Sequence, residues 1–282
     1  MLLKYITMNF IVDNIYVINM KKDKERLRKF QNQIGDKFKY EIVEGVDCNS
    51  LEYNNQFELW KDKNPMCQDI TFDNFDWQLY LNYYPDLKKN IFDKNKAWKH
   101  WINHGIKELR SCVVNRIINK GQFGCLQSHI NIFKDALEKN YKSILILEDD
   151  IFLHKNFEKQ IERIIDIQKT NPEWNIIYLG ASQHYWKNIE FQKDFYYAND
   201  TTGSFSYIIR SSFYQVLLNE FEKRLKPIDN YLIDIQEKYY KTIFVLSPNI
   251  MISNLEESNI GNKRDQNVWA KRFNWKLENY DF

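Results

Sequence analysis

Ile144-Leu145-Ile146-Leu147-Glu148-Asp149-Asp150 is a run of four apolar residues that passes straight into three carboxylates. Apolar at every position, the run has the character of a strand buried on both faces, as in parallel sheets. Its C-terminal end then carries three negative charges in a row. Like charges this close disfavour one another's ionisation unless a cation, hydrogen-bond donors or open water compensates. In open α/β sheets that same edge is where ligands sit. A hard divalent ion is the simplest compensation. Period-two alternation sends Glu148 and Asp150 to one side and Asp149 to the other, so one carboxylate can hold metal while another orients its neighbours. The alternative is an acidic strand end, solvated ahead of a helix capped by Asn156.

Upstream, residues 14–47 read as strand, helix, strand: Ile15 to Ile18 are apolar, Asp23 can cap a charged segment from Lys24 to Gln33, and Tyr40 to Val46 is apolar again. The alternation resumes from about 123 to 209. A helix with Leu126, Ile130, Phe133 and Leu137 precedes the acidic strand, and one with Phe157, Ile161, Ile164 and Ile165 follows it. Strands are expected at Ile176–Leu179, Phe205–Ile209 and Ile243–Leu246, with a helix through Phe213, Val216, Leu217 and Phe221 and another starting at Pro227. Strands alternating with helices predict an α/β class: a mostly parallel sheet with helices on both faces.

Residues 50–115 break this rhythm with clustered aromatics and two short helices. The expectation is a mainly helical inserted module over 53–112, dividing the main domain into 1–52 and 113–282. Within it, Tyr84-Pro85-Asp86-Leu87, His100-Trp101, His104-Gly105 and Glu108-Leu109-Arg110 resemble the short YPDL…HW…HG…EGR module found on some microbial enzymes and surface proteins, with Leu109 in place of the usual Gly. Gly105 can end a helix in the left-handed conformation. One helical turn separates His100 from His104, a spacing open to a metal pair. The HExxH glutamate is missing, however, and Trp98 and Trp101 point to packing.

Over 282 residues, 40 basic and 38 acidic side chains leave a charge of +2, which implies no nonspecific grip on nucleic acid. Cys48, Cys67, Cys112 and Cys125 lie far apart without a CxxC pair, so neither a zinc ribbon nor a dense disulfide framework is written here. No run approaches the roughly 20 apolar residues of a membrane span. The expectation is a soluble, cytoplasmic protein.

Seven short pieces carry a family likeness. They are Val17-Ile18-Asn19-Met20 with Glu25-Arg26, Glu44-Gly45-Val46-Asp47, Gly124-Cys125-Leu126-Gln127-Ser128-His129, Leu145 to Asp150, Tyr178-Leu179-Gly180, Gly203 to Ile209, and Pro227-Ile228-Asp229-Asn230-Tyr231-Leu232. In this order they resemble the family-25 glycosyltransferases, over residues 14–50 and 115–255. The resemblance implies a GT-A (Rossmann-like) fold, a UDP-linked sugar donor, and Mn²⁺ or another divalent cation at the acidic triplet. Such a cation, held by Asp150 with Glu148 or Asp149 behind it, would neutralise the leaving diphosphate. Asp229 matches the family's P-x-D position and is the candidate general base; the alternative is a carboxylate that favours its helix dipole. Ser128 and His129 match a Ser-His pair that touches donor or metal, or else are ordinary helix residues.

Asn19 and Arg26 stand where a first strand enters a helix, suited to a nucleotide base or diphosphate. Asp47 could accept from ribose or uracil, Asp149 from the ribose, and Gly203 and Ser204 border the sugar pocket. Arg210 and Ser206 depart from the family pattern, which leaves the sugar open. No His follows His184, so Asp265 would replace the C-terminal histidine ligand of many GT-A enzymes. The resulting expectation is a metal-dependent transferase moving galactose or glucose from a UDP-sugar to a hydroxyl, on a collagen-like hydroxylysine or a glycan. A non-catalytic carbohydrate- or protein-binding module and a metal-dependent nucleotide-sugar hydrolase are the alternatives. The oligomeric state stays open.

Overall fold

A computed structural model describes residues 8–108, 110–258, 260 and 263–282; Leu109 of the aromatic module lies outside them. The strands are β1 (Asn14–Asn19), β2 (Glu41–Glu44), β3 (Ser143–Glu148), β4 (Ile151–Leu153), β5 (Ile176–Tyr178), β6 (Ser182–Gln183), β7 (Phe195–Tyr197), β8 (Thr201–Thr202), β9 (Ser206–Arg210), β10 (Ile243–Leu246) and β11 (Met251–Ser253). The α-helices are α1 (Lys24–Ile34), α2 (Leu51–Lys63), α3 (Trp77–Tyr83), α4 (Lys94–His100), α5 (Lys120–Glu138), α6 (Phe157–Thr170), α7 (Ser211–Phe221), α8 (Ile228–Lys238) and α9 (Gln266–Phe273).

Seven strands form one sheet in the order β2-β1-β3-β9-β5-β10-β7. Strands β1 and β2, β1 and β3, and β5 and β10 pair parallel. Strand β9 runs antiparallel between β3 and β5, and β7 antiparallel on the edge. The apolar run behaves as its composition requires. Ile144 and Ile146 enter one core with Tyr16, Tyr207 and side chains of α5, α7 and α8. Leu145 and Leu147 enter the other with Val17, Ile208 and side chains of α1, α6 and α9. Both faces of the sheet are therefore covered, which is why no polar residue interrupts the strand. Each such Leu or Ile contributes about 1.5–3 kcal/mol by leaving water. This is the α/β arrangement that the sequence predicts.

Register brings the chemistry to one edge. Glu148 lies beside Ile18, Asn19 beside Glu44, and Leu147 beside Ser206. The ends of β1, β2 and β3 thus meet the residues that lead into β9. Helix α8 starts after Pro227 at the N-cap, as expected.

A third core gathers Phe75, Tyr80, Leu81, Leu87, Ala97, Trp101 and Val113, among others between 70 and 113. Phe57 and Met66, by contrast, belong to the core of α5. The module's signature residues hold it together. Arg110 lies 3.0 Å from Asp86 and 4.8 Å over the Tyr84 ring, whose hydroxyl accepts from Ser111 N. Tyr80 Oη and His100 Nδ1 are 3.0 Å apart, so His100 is engaged in packing. Gly105 corrects the expectation of a left-handed cap: it closes a π-helical turn, Trp101–Gly105, without a positive φ.

Among the described residues no helix is long and apolar enough to cross a membrane. Cys48 and Cys125 are free thiols. Between β5 and β6, a Cβ on Gly180 would lie 1.9 Å from the Met251 carbonyl oxygen, a backbone atom that cannot rotate away. Gly180→Ala should therefore lower unfolding free energy by about 1–3 kcal/mol through overpacking, read as a reduced urea midpoint. An unchanged midpoint would show that β11 is not fixed against this turn.

Candidate active site at the acidic strand edge

Two cavities meet at the end of β3. The larger, about 310 Å³, is walled by residues after β8, the first turn of α8, His184 and Arg264. The smaller, about 180 Å³, lies over the ends of β1 and β2 and includes Met20, Lys22, Arg26 and Asp47. Cys125, Glu148 and Asp150 line both.

The three carboxylates are not equivalent. Asp149 is buried and accepts from Asn19 Nδ2, at the end of β1, and from Arg26, one turn into α1. Burial raises its pKa, while Arg26 and Asn19 pull it back. Strand alternation does not extend this far: β3 ends at Glu148, Asp149 and Asp150 lie in the turn that follows, and one Arg26 nitrogen contacts both, so these two carboxylates do not point to opposite sides. The Arg26 guanidinium also lies 3.0 Å from Asp150 Oδ2 and donates to the Glu257 carbonyl. Arg26, expected to grip a nucleotide, is thus committed first to these two carboxylates. Asn19 likewise serves Asp149.

Asp150 Oδ1 is buried without a hydrogen-bond partner among the described residues. Burial lifts the Asp150 pKa, against the pull of Arg26. Glu148 Oε1 accepts from Ser204 Oγ at 3.2 Å. Burial, and then the charges of Asp150 and Asp229, push the Glu148 pKa well above the carboxylate range. An unpartnered carboxylate oxygen in an anionic corner open to two cavities fits a hard divalent cation.

Across the larger cavity, Asp229 stands in the first turn of α8. Its Oδ1 accepts from Gly203 N at 3.0 Å and Ser204 N at 3.2 Å. Gly203 turns at φ +120°, which a residue with a Cβ adopts only under strain. Burial raises the Asp229 pKa, and the two amides oppose that shift. Ser204 therefore joins Asp229 to Glu148, one through its amide and the other through its hydroxyl.

The remaining predicted residues divide. Asp47 lines the smaller cavity, paired with Lys22 at 3.2 Å, and the Asn49 amide above all holds its pKa low. Ser128 borders that cavity, but its hydroxyl is occupied: it accepts from Val46 N at 2.9 Å and donates to the Gly124 carbonyl at 2.8 Å. His129 is fully buried, with Nδ1 2.8 Å from the Tyr207 hydroxyl, and desolvation pushes its pKa down to about 3. Asp265 is not brought to the cluster. It caps α9, accepting from Val268 N at 2.9 Å, and lies exposed.

Sequence reasoning missed three residues of the cavity walls. His184 packs on Phe273 at 5.0 Å and reaches Thr202 Oγ1 at 3.2 Å. The Arg264 guanidinium sits 4.4 Å over the Trp269 ring. Cys125 had an available signal, since it stands one helical turn before His129. Donor atoms of Cys125, His129 and Glu148 lie within 4.8 Å of one another, a set able to hold a metal.

Residues 12–232 match the family model for glycosyltransferase family 25 (LPS biosynthesis protein). Procollagen galactosyltransferase 2 of Mus musculus is 23% identical over 173 residues, 61% of this chain and 21% of that protein. The probable inactive glycosyltransferase 25 family member 3 of Rattus norvegicus is 35% identical over 69 residues, 24% of this chain and 12% of that one. The chain thus spans about a fifth or less of these relatives' length. The crystal structure of mannose-1-phosphate geranyltransferase from Thermus thermophilus covers 83% of this chain and 72% of its own at 10% identity and a TM-score of 0.29. With the family model spanning six of the seven sheet strands, all but β10, together with the acidic edge and the first turn of α8, this chain belongs to glycosyltransferase family 25.

Proposed function

We propose that the chain transfers a hexose, galactose or glucose, from a UDP-sugar to a hydroxyl acceptor, with a divalent cation at the end of β3. The observation that carries this reading is Asp150 Oδ1, buried and unpartnered where the two cavities join. Asp150, with Glu148 beside it, would hold Mn²⁺ or a similar hard ion. When bound, that ion neutralises charge on the leaving diphosphate. The smaller cavity suits the nucleotide, with Asp47 as an acceptor for ribose or base hydrogen bonds. Asp149 acts through Asn19 and Arg26, holding the corner in place.

Asp229 is the base of this reading. Both loop amides bond to Oδ1, which leaves Oδ2 to take the acceptor's proton. A pKa raised by burial brings a carboxylate closer to neutral pH, where general-base catalysis is more effective. The name of the mouse relative, a procollagen galactosyltransferase, supports a collagen-type acceptor, for which a hydroxylysine hydroxyl is the proposed target. Residues 53–112 are proposed as a module that selects the acceptor.

Released UDP, measured across UDP-sugars with Mn²⁺ and with or without hydroxylysine peptides, tests the activity. Donor binding without release in every combination would leave a binding module. Asp150→Ala should abolish cation-dependent UDP-sugar binding in calorimetry with the circular dichroism unchanged; unaltered binding would remove Asp150 from the cation. Asp229→Asn keeps an oxygen for the Gly203 and Ser204 amides, so donor affinity should persist while transfer falls by about 10²–10⁴-fold. Full turnover in that variant would assign the proton to another group.

A further inference from the structure

Between α5 and the sheet, under the corner where the cavities meet, three donors of different chemistry converge. Cys125 and His129 lie one turn apart on α5, and Glu148 ends β3. One donor atom of each lies within 4.8 Å of the other two. His129 is fully buried; its Nδ1 is 2.8 Å from the Tyr207 hydroxyl, and its Nε2 has no partner among the described residues. A buried polar atom without a partner calls for an explanation. Packing supplies half of one, because the imidazole stacks on Tyr207 at 5.8 Å between centroids and 16° between planes. Stacking does not satisfy Nε2, which presents a lone pair in the tautomer whose Nδ1–H donates to the Tyr207 hydroxyl. Anchoring one ring nitrogen with a hydrogen bond, so that the other presents its lone pair, is how metal-bound imidazoles are oriented.

We propose that Cys125, His129 and Glu148 form a binding site for a borderline-soft divalent ion of the zinc class, separate from the donor cation at Asp150. Thiolate and imidazole favour zinc over manganese, which prefers oxygen. A tetrahedral ion with bonds of about 2.0–2.3 Å sets its ligands under about 4 Å apart. The observed spacing therefore closes by about an ångström, through rotation of the half-buried Cys125 and Glu148 side chains. Glu148 has two oxygens and accepts from Ser204 on Oε1, so one carboxylate serves both sites. Cys125 and Glu148 also line both cavities, so the fourth coordination position faces the cavity. Three protein ligands with an open position mark an ion that exchanges a ligand, rather than a closed structural site. On binding, Cys125 gives its proton to solvent and the sulfur takes the ion.

The proposal stands apart from the transferase reading, and its test reads the metal. The full chain, treated with chelator, is titrated with Co²⁺. A thiolate-to-cobalt charge-transfer band and intense tetrahedral visible bands should saturate at one equivalent and disappear when Zn²⁺ is added. Cys125→Ser should lose the charge-transfer band, and Glu148→Gln should weaken Co²⁺ affinity at least about tenfold. Asp150→Ala should keep the band. Mn²⁺ binding, followed by electron paramagnetic resonance, should survive Cys125→Ser, so the two sites can fail separately. Absence of the band in folded wild-type protein overturns the proposal. So does its persistence in Cys125→Ser, which assigns the thiolate elsewhere, or its loss in folded Asp150→Ala, which merges the sites. His129→Gln, checked for fold by circular dichroism, should also weaken Co²⁺ binding; if it unfolds, the two milder variants decide.

Discussion

Three carboxylates at the end of one buried strand make a native state only if their charge is met, and Arg26 meets most of it. Its guanidinium contacts Asp149 and Asp150 while its own surface is largely removed from water. Pairs of this kind return their desolvation cost only with good geometry and further hydrogen bonds. Both are present here. Asn19 adds a second donor to Asp149, and the Glu257 carbonyl takes another guanidinium proton. The βαβ opening supplies both donors to Asp149: β1 ends on Asn19, α1 carries Arg26 in its first turn, and the parallel register sets Ile18, the residue before Asn19, opposite Glu148. Arg26 satisfies two carboxylates and leaves Glu148, and one oxygen of Asp150, without equivalent charge. That remainder keeps the corner from being a closed ion-pair network, and it is the basis for the cation proposed there.

The opposite wall is built on a different principle. Gly203 takes a backbone conformation that a residue with a Cβ adopts only under strain, and so aims two consecutive amides at Asp229. Asp229 is thereby held by backbone rather than by a charged partner, which fixes its position without neutralising it as fully as an arginine would. Ser204 then extends the same loop to Glu148. Two of the three acidic groups that line the larger cavity, Asp229 and Glu148, thus share one short loop between β8 and β9. Movement of that loop changes both together.

The fold was legible because one physical signal, burial on both faces, leaves a continuous apolar run, and β3 shows it without interruption. The opposed directions expected of Asp149 and Asp150 did not follow, because the strand ends at Glu148 and the turn after it brings both carboxylates to Arg26. Arg26 was placed at the site, but its partners were not foreseen, since nothing local distinguishes an arginine that binds a ligand from one that binds the strand beside it. Asp265 failed for a similar reason: an aspartate opening a helix reads the same whether it caps the helix or coordinates an ion, and the Val268 amide claims it. Ser128 looks like a ligand-facing hydroxyl until the chain folds and Val46 N takes it. His184 and Arg264 come from segments eighty residues apart, on about the scale of the whole sheet crossing, so no window of sequence joins them.

Helix α5 is where the main domain and the aromatic segment touch. Phe123 packs against Phe57 at 5.4 Å and Trp60 at 4.8 Å between centroids, both on α2. Lys120 adds an ion pair with Glu58 at 3.7 Å. Two residues beyond Phe123 comes Cys125, and one turn later His129, so the helix that α2 braces also carries the floor of the cavities. The aromatic residues of α2 were read from sequence as part of an insertion. In the structure they share the core of α5, while the separate core begins near residue 70. Helix α5 is thus held on either side of Cys125, by α2 at Phe123 near its start and by Tyr207 of the sheet at His129, midway along it, which fixes the side of the cavities that Cys125 lines.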